Sequence, residues 1–381
     1  MDISRYLKLS ELLQKKSVFL LGPRQTGKSW WIRRQLEGCK VYNLLKMDDY
    51  SRLAHSPSLI REELKPGDRY VVIDEIQKLP QLLDEVQLLI EEHGVNFLLT
   101  GSSARKLRSK GVNLLGGRAR VRGFHPLSWI ELQEHFNLSK ALSVGLLPSM
   151  YLSESPLEDL HAYAGTYLSE EISAEAATKN VPAFSRFLEI AALNQAQLLN
   201  YSNIANDAQV PVSTVRNYYQ ILEDTLLGSQ LLPWTKSVKR KAISTAKFYF
   251  FDIGVARHLQ KRTFLERNSA DFGDAFETYI HHELKTYIDY CHGGLLPLSF
   301  WRSKSGMEVD FIIGDSIALE VKSAAHVTEK MLTGLRAMSE EVTFKHRFLI
   351  TPDTIERQTR DGIRIVPFSR FLAELWGGEL V

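Results

Sequence analysis

Between the apolar run Ser17-Val-Phe-Leu-Leu-Gly22 and a stretch of helical pattern that begins near Lys28 lies Gly22-Pro23-Arg24-Gln25-Thr26-Gly27-Lys28-Ser29. It fits G-x-x-x-x-G-K-[ST], a pattern that works only with a strand before it and a helix after it. The glycines let the backbone curl so that its amides point inward at a β-phosphate. Lys28 then reaches the β- and γ-oxygens, and Ser29 offers a hydroxyl to Mg2+. The following helix adds its positive amino-terminal end. The segment predicted to contact ATP runs from Gly22 to Trp30.

The stretches around this loop have the matching pattern. Lys40 to Leu44, Tyr70 to Asp74 and Asn96 to Thr100 read as strands, and Gln81 to His93 has helical period without Gly or Pro. Continuous apolar strands alternating with helices imply a parallel sheet covered on both faces. Asp74, at the end of Val71-Val-Ile-Asp74-Glu75, is placed to hold magnesium through water, and Glu75 to polarise the attacking water. Leu98-Leu-Thr100-Gly-Ser102-Ser103 ends the next strand. Thr100, Ser102 or Ser103 is there to sense the γ-phosphate, or the segment is a plain turn. Gly116-Gly-Arg118 precedes an expected strand over Ala119 to Phe124, and Arg118 is a candidate to reach a neighbour's γ-phosphate.

A chain of 381 residues, 44% apolar and 24% charged, is long enough for two or three ordinary globular domains. Cys39 and Cys291 stand alone, in no metal-ligand spacing, which fits a reducing cytoplasm. Early charges at Asp2, Arg5 and Lys8 leave no secretory segment, and the apolar runs are strand-sized, so no membrane span is expected. A net charge of +2 decides nothing about nucleic acid, but its distribution is uneven. Arg105, Lys106, Arg108, Lys110, Arg118, Arg120 and Arg122 follow one another without an acid. So do Lys236, Lys239, Arg240, Lys241 and Lys247. Either stretch is a solvated loop or a phosphate contact.

The order GPRQTGKS, VVIDEIQKLP, LLTGSS and GGRARVRGFHPLSWIEL resembles the AAA-type ATPases of bacteria and archaea that carry a carboxyl-terminal domain of unknown function. The resemblance continues through Tyr249-Phe-Phe-Asp-Ile-Gly254 and Gly273-Asp-Ala-Phe-Glu277 to Glu320-Val-Lys322. It implies an AAA-type fold, ATP and Mg2+ as cofactors, a homo-oligomer with a hexameric ring among its forms, and Arg118 as the finger. The sensor asparagine usual in AAA proteins is not visible after Leu99.

Tyr201 to Leu222 reads as helix-turn-helix, with Ile204, Ala205 and Ala208 on the inner face, Val210-Pro211 as the turn and Ser213 as the second N-cap. Val215, Tyr219 and Leu222 should face the core, leaving Thr214, Arg216, Asn217 and Gln220 outside, residue types that touch DNA. Leu226 to Trp234 would form a wing. Arg216, Lys239, Arg240 and Lys241 are then the candidate DNA-binding residues, unless the module is only a lid on the ATPase.

Glu308 to Lys322 reads as a hairpin around Gly314-Asp315-Ser316. Alternation puts Val309, Phe311 and Ile313 on one face and Asp310, Ile312, Ala318, Glu320 and Lys322 on the other. Asp310 falls across from Glu320, and two facing carboxylates call for a cation, hence a metal site at Asp310 and Glu320. Glu277, on a helix over Phe272 to Tyr287, would add a third carboxylate. This Asp…Glu-x-Lys layout resembles the PD-(D/E)xK nucleases, implying metal-assisted hydrolysis with Lys322 assisting. The other reading is a solvated hairpin face. The adjacent His281 and His282 point apart on a helix, so a surface or core role is expected rather than a metal site.

The expected α/β architecture is an AAA-type P-loop ATPase core over 1–126, a helical lid or linker over 127–195, a winged helix over 196–262 and a nuclease-like domain over 263–381. Action on DNA is the first reading. An ATP-dependent switch that binds a partner without cutting is the second, and a toxin-like nuclease restrained by its ATPase the third.

Overall fold

The computed structural model describes residues 3–103, 115–167, 180–236, 240, 242–262, 264–267, 269–324 and 326–381. The chain divides into two units: Asp2–Pro126 with Asp224–Leu227, and Leu127–Glu223 with Gly228–Val381.

The amino-terminal unit is built on a five-stranded parallel sheet, order β2-β3-β4-β1-β5. Its strands are β1 (Ser17–Leu21), β2 (Lys40–Asn43), β3 (Tyr70–Asp74), β4 (Asn96–Gly101) and β5 (Ala119–Gly123). The apolar runs Ser17-Val-Phe-Leu-Leu and Tyr70-Val-Val-Ile take the inner places, and every residue of β1 is buried. The edge strands β2 and β5 are half-exposed. Helices Leu9–Lys15 and Leu82–His93 pack on the sheet, so the apolar side chains of both faces are covered. All three inner strands end at the same edge, where β1 gives way to the phosphate-loop segment and the helix Lys28–Gln35.

The second unit begins with short helices and the helix Val181–Leu193, then Tyr201–Ala208 and Val212–Asp224. In the last of these Val215, Tyr219 and Leu222 are buried, while Arg216, Asn217 and Gln220 are exposed, as their spacing predicts. Ser213 is the second residue of this helix and not its cap. The helix opens at Val212, where Thr214 and Val215 already donate to the Pro211 carbonyl. The expected wing is β6 (Gly228–Pro233), antiparallel to β7 (Lys247–Phe250).

These two strands do not stop at a domain edge. They finish an eight-stranded sheet of order β12-β13-β11-β10-β9-β8-β6-β7. Its other strands are β8 (Leu298–Arg302), β9 (Glu308–Ile313), β10 (Ile317–Val321), β11 (His346–Thr351), β12 (Arg357–Gln358) and β13 (Arg364–Pro367). The expected boundary at 262/263 therefore falls inside one continuous sheet. The long helix Ala270–His292 packs against β10, and the helix Thr333–Ser339 against β9 and β10.

Asp252 explains the Phe-Phe-Asp-Ile-Gly run. It caps the helix Ile253–Leu259 by accepting from Val255 N at 3.0 Å, and also accepts from Leu146 N at 2.7 Å and Leu147 N at 3.2 Å. A Cβ on Gly254 would stand 2.1 Å from the Val144 carbonyl oxygen, so only glycine lets the two segments meet.

Among the described residues no helix is long and apolar enough to cross a membrane.

Candidate functional site

The phosphate loop is shaped by three departures from ordinary backbone. Gln25 and Gly27 take positive φ, 62° and 87°. Gly22 passes so close to the exit of β5 that a Cβ would meet the Phe124 carbonyl at 2.1 Å. Inside the curl, Thr26 Oγ1 donates to Pro23 O at 2.9 Å. Lys28 Nζ donates to Gly22 O at 2.5 Å and Pro23 O at 2.8 Å. Burial pushes the Lys28 ammonium down to about 8, against the upward pull of Glu75 and Asp74. Trp30 lies on the exposed side of the helix, 4.9 Å under the Arg34 guanidinium.

Arg5 is a part of this loop that the sequence did not advertise. Its guanidinium donates to Thr26 O at 2.8 Å and His125 O at 2.5 Å, and sits 4.1 Å over the Phe124 ring. It ties the loop to the end of β5. An arginine near a chain start has no local pattern to mark it, so nothing in the sequence could have found it.

The ends of β3 and β4 converge on the same place. Ser29 Oγ donates to Asp74 Oδ2 at 2.9 Å. Thr100 Oγ1 donates to the other carboxylate oxygen of Asp74 and accepts from Glu75 N at 3.2 Å. Of the three sensor candidates, Thr100 thus binds both acidic residues. Ser102 Oγ donates to Glu75 Oε2 at 3.2 Å, and Gln77 Nε2 donates to the same oxygen and to Ser102 Oγ at 3.1 Å. Glu75 itself is in the left-handed region, φ 63° and ψ 47°, which turns its side chain away from the strand direction. Gln77 is a second residue that the sequence reading did not single out; in Ile76-Gln-Lys-Leu79 it is the buried polar residue, while Lys78 is exposed.

Arg118 stands just before Ala119, which pairs with Ser17 at the start of β1. That is the sheet edge opposite the phosphate loop, and its Nε is 2.6 Å from Glu91 Oε1. It does not join the loop of its own chain. Arg105, Lys106, Arg108 and Lys110 lie outside the described residues.

In the carboxyl-terminal sheet the expected hairpin forms with the expected loop, Ile313 facing Ile317 and Phe311 facing Leu319. Simple alternation fails at Asp310. β8 pairs Ser299 with Ile312 and Trp301 with Val309, so Asp310 and Phe311 share the place opposite Phe300. This bulge turns Val309 into the cluster of Ile312 and Ala318, not onto the face of Phe311. Neither face is solvated, since every β10 residue is buried.

The cation that Asp310 and Glu320 call for is supplied by the chain. Lys322 Nζ lies 2.6 Å from Glu320 Oε1 and 3.6 Å from Asp310 Oδ2, and Asp310 Oδ2 also accepts from Val321 N at 2.8 Å. Burial, and then Asp310, hold the Glu320 carboxyl well above its usual range. Glu277 does not join them as a third ligand. It accepts from Tyr249 Oη at 2.6 Å and from Lys247 Nζ at 3.2 Å. Among the described residues no three His, Cys, Asp or Glu side chains are arranged to hold a metal. As folded, Asp310 and Glu320 are taken up by Lys322 rather than presented with a third carboxylate as a divalent-ion ligand set.

The basic stretch after Trp234 is likewise spoken for. Lys247 is buried between Glu277 and Glu308, and Arg240 donates to Ala337 O at 3.1 Å and to Glu340 Oε2 at 2.6 Å. Lys247 is thereby enclosed, whereas Arg240 is held in ion pairs at the surface. Lys239 and Lys241 lie outside the described residues. Arg216 remains exposed, its guanidinium 4.3 Å over the Tyr201 ring. His281 stacks on Tyr249 at 4.0 Å, and His282 Nε2 meets Leu127 O at 3.0 Å, both packing roles.

Fold and site together define a phosphate-loop nucleotide-binding domain on a parallel α/β sheet. Residues 14–133 match the family model described as an AAA domain, 135–266 one described as a domain of unknown function (DUF8612), and 272–371 another domain of unknown function (DUF4143). The chain thus carries an AAA-type ATPase domain followed by two domains of unassigned role. An uncharacterised protein of Mycobacterium tuberculosis is 25% identical over 370 residues, covering 93% of this chain and 80% of its own length, with the same figures for one of Mycobacterium bovis. An uncharacterised protein of Haemophilus influenzae is 24% identical over 407 residues, covering 96% of this chain and 97% of its own. Among solved structures, a Signal Transduction ATPase with Numerous Domains protein with a tetratricopeptide repeat sensor, from Pyrococcus horikoshii, is 15% identical with a TM-score of 0.23. That match covers 75% of this chain, which spans 45% of the archaeal one.

Proposed function

We propose that this chain is a magnesium-dependent ATP hydrolase acting as a switch, whose carboxyl-terminal unit engages a partner without cutting it. The observation that carries the reading is the continuous network Ser29–Asp74–Thr100–Glu75 at the mouth of the phosphate loop. The Ser29 hydroxyl and the Asp74 carboxylate are hard oxygen donors 2.9 Å apart, the donor set Mg2+ takes. Mg2+ bound there would neutralise charge on the β- and γ-phosphates. Lys28 holds the same phosphates, the loop amides orient them, and Glu75 accepts a hydrogen bond from the attacking water. Arg118, remote from its own loop, acts on the nucleotide of a neighbour in a homo-oligomer.

Action on DNA is a second reading, favoured by the exposed Arg216, Asn217 and Gln220 on the second helix of a helix-turn-helix. One assay separates the two: ATPase rate of the pure protein in Mg2+, with and without single-stranded, duplex and four-way-junction DNA. The switch reading expects slow turnover indifferent to all three. Stimulation by any of them, lost in Arg216→Glu, would favour DNA. No hydrolysis in Mg2+ would overturn both.

A further inference from the structure

The carboxylates Glu277, Glu308, Asp310 and Glu320 gather where the nuclease-like layout would seat a divalent ion, and two lysines are built in among them. Lys322 belongs to the Glu-x-Lys pattern. Lys247 does not: it comes from β7, at the other end of the sheet order. Its Nζ lies 2.6 Å from Glu308 Oε1 and 3.2 Å from Glu277 Oε1. Only 4% of the residue is exposed, so this ammonium is a fixed part of the interior. Tyr249, two residues along the same strand, fastens Glu277 from its other neighbour position at 2.6 Å. Glu320 Oε2 meanwhile is buried with no hydrogen-bond partner among the described residues.

We infer that Lys247 is a built-in cation that closes this carboxylate cluster against divalent metal, and that removing its ammonium opens a Mn2+ or Mg2+ site there. A hard divalent ion needs several oxygen ligands, more than one of them an anionic carboxylate. Glu277 is committed to Lys247, Glu308 to Lys247 and Arg302, and Glu320 and Asp310 to Lys322. An entering ion would have to break these contacts and then sit a few ångströms from the buried ammonium of Lys247 and the half-buried one of Lys322, where repulsion is less screened than in water. With Lys247 gone, Glu277 loses its ammonium partner and Glu308 keeps only Arg302 at 3.2 Å, a local excess of negative charge that a divalent ion relieves, and the orphan oxygen of Glu320 supplies a further ligand. The domain is on this account a carboxylate fold sealed by a lysine from the preceding segment. The inference goes beyond the switch reading and does not depend on ATP turnover.

The test is Mn2+ binding to the full-length, nucleotide-free protein, followed by electron paramagnetic resonance of free Mn2+ and by calorimetry. A Ser29→Ala background keeps the phosphate loop silent. The parent should take up no Mn2+ in the millimolar range, and Lys247→Met should bind one ion per chain at least tenfold more tightly. Adding Asp310→Asn should abolish the gain. Lys247→Met takes a buried positive charge away from Glu277 and Glu308, so Lys247→Met with Glu308→Gln, which keeps the charge balance, provides a second route if the single variant does not fold. Mn2+ uptake by the parent that is lost in Glu277→Gln would overturn the inference. So would a folded Lys247 variant that binds no more than the parent.

Discussion

Thr100→Val removes one hydroxyl and leaves the shape of the β4 end intact. That hydroxyl donates to Asp74 and accepts from the buried Glu75 amide at 3.2 Å, so the change breaks both links between the residues that handle metal and water. The bond to the carboxylate is charge-assisted, about 1.5–3 kcal/mol, and orphaning a buried N–H adds about 1–3 kcal/mol. Only the part that holds Asp74 and Glu75 during turnover enters kcat. A share of about 1.4–2.7 kcal/mol lowers kcat roughly 10- to 100-fold, at about 1.36 kcal/mol per decade. KM for ATP should change little, because the loop amides and Lys28 are untouched. Thr100→Ser, which restores the hydroxyl, should recover most of the rate. The assay is steady-state ATP hydrolysis with a urea melt of each variant. A Thr100→Val protein with wild-type kcat would refute the idea that this hydroxyl organises the site.

Lys28→Ala should lose ATP binding, while Glu75→Gln keeps it and loses hydrolysis by about 100-fold or more, the usual scale for a positioned base; equal turnover by Glu75→Gln and wild type would remove Glu75 from that role. Arg118→Ala should bind ATP but hydrolyse it poorly, and mixing it with Lys28→Ala should restore some turnover in a co-assembled sample. Asp252→Ala orphans the amides of Leu146, Leu147 and Val255 and should destabilise the second unit by about 3 kcal/mol or more, read as a lower melting temperature of that transition. Burial raises the Glu283 carboxyl from 4.5 to about 8. Its folded value lies above the unfolded one, so its contribution is whole below about pH 4.5 and lost as pH climbs through about 8, on the order of 5 kcal/mol across that window. Glu283→Gln has no such titration and should gain melting temperature relative to wild type from pH 5 to pH 9; parallel curves would show that Glu283 does not titrate there.

The ATP site was legible because its parts are contiguous and their chemistry fixes their context. Gly22 to Ser29 dictates a strand and a helix, and Val71 to Glu75 places Asp74 at a strand end. Thr100 was one of three options, separable only by the register of β3 against β4. The described part of the second charge run was illegible for the opposite reason. Arg240 and Lys247 look like solvated cations beside their neighbours, but their partners, Glu340 and Glu277, arrive from far along the chain. The bulge at Asp310 is set by how β8 pairs with β9, which no period within 308–322 contains. The spacing within 308–322 called for a metal between Asp310 and Glu320; the fold puts the Lys322 ammonium against both.

The strand β6 gives its first residues to β7 and its last two to β8. One segment therefore follows directly on the helices Tyr201–Ala208 and Val212–Asp224 and takes part in the carboxyl-terminal sheet. The sheet is thus built from both of the segments matched by the two unassigned family models. A gene cut near codon 263 would strand β8 with an open edge, its N–H and C=O groups ready to pair with another chain. It would also remove Lys247 from the carboxylates it neutralises. Selection on either part is felt by the other, and substitutions in β6 and β7 should be read as changes to both.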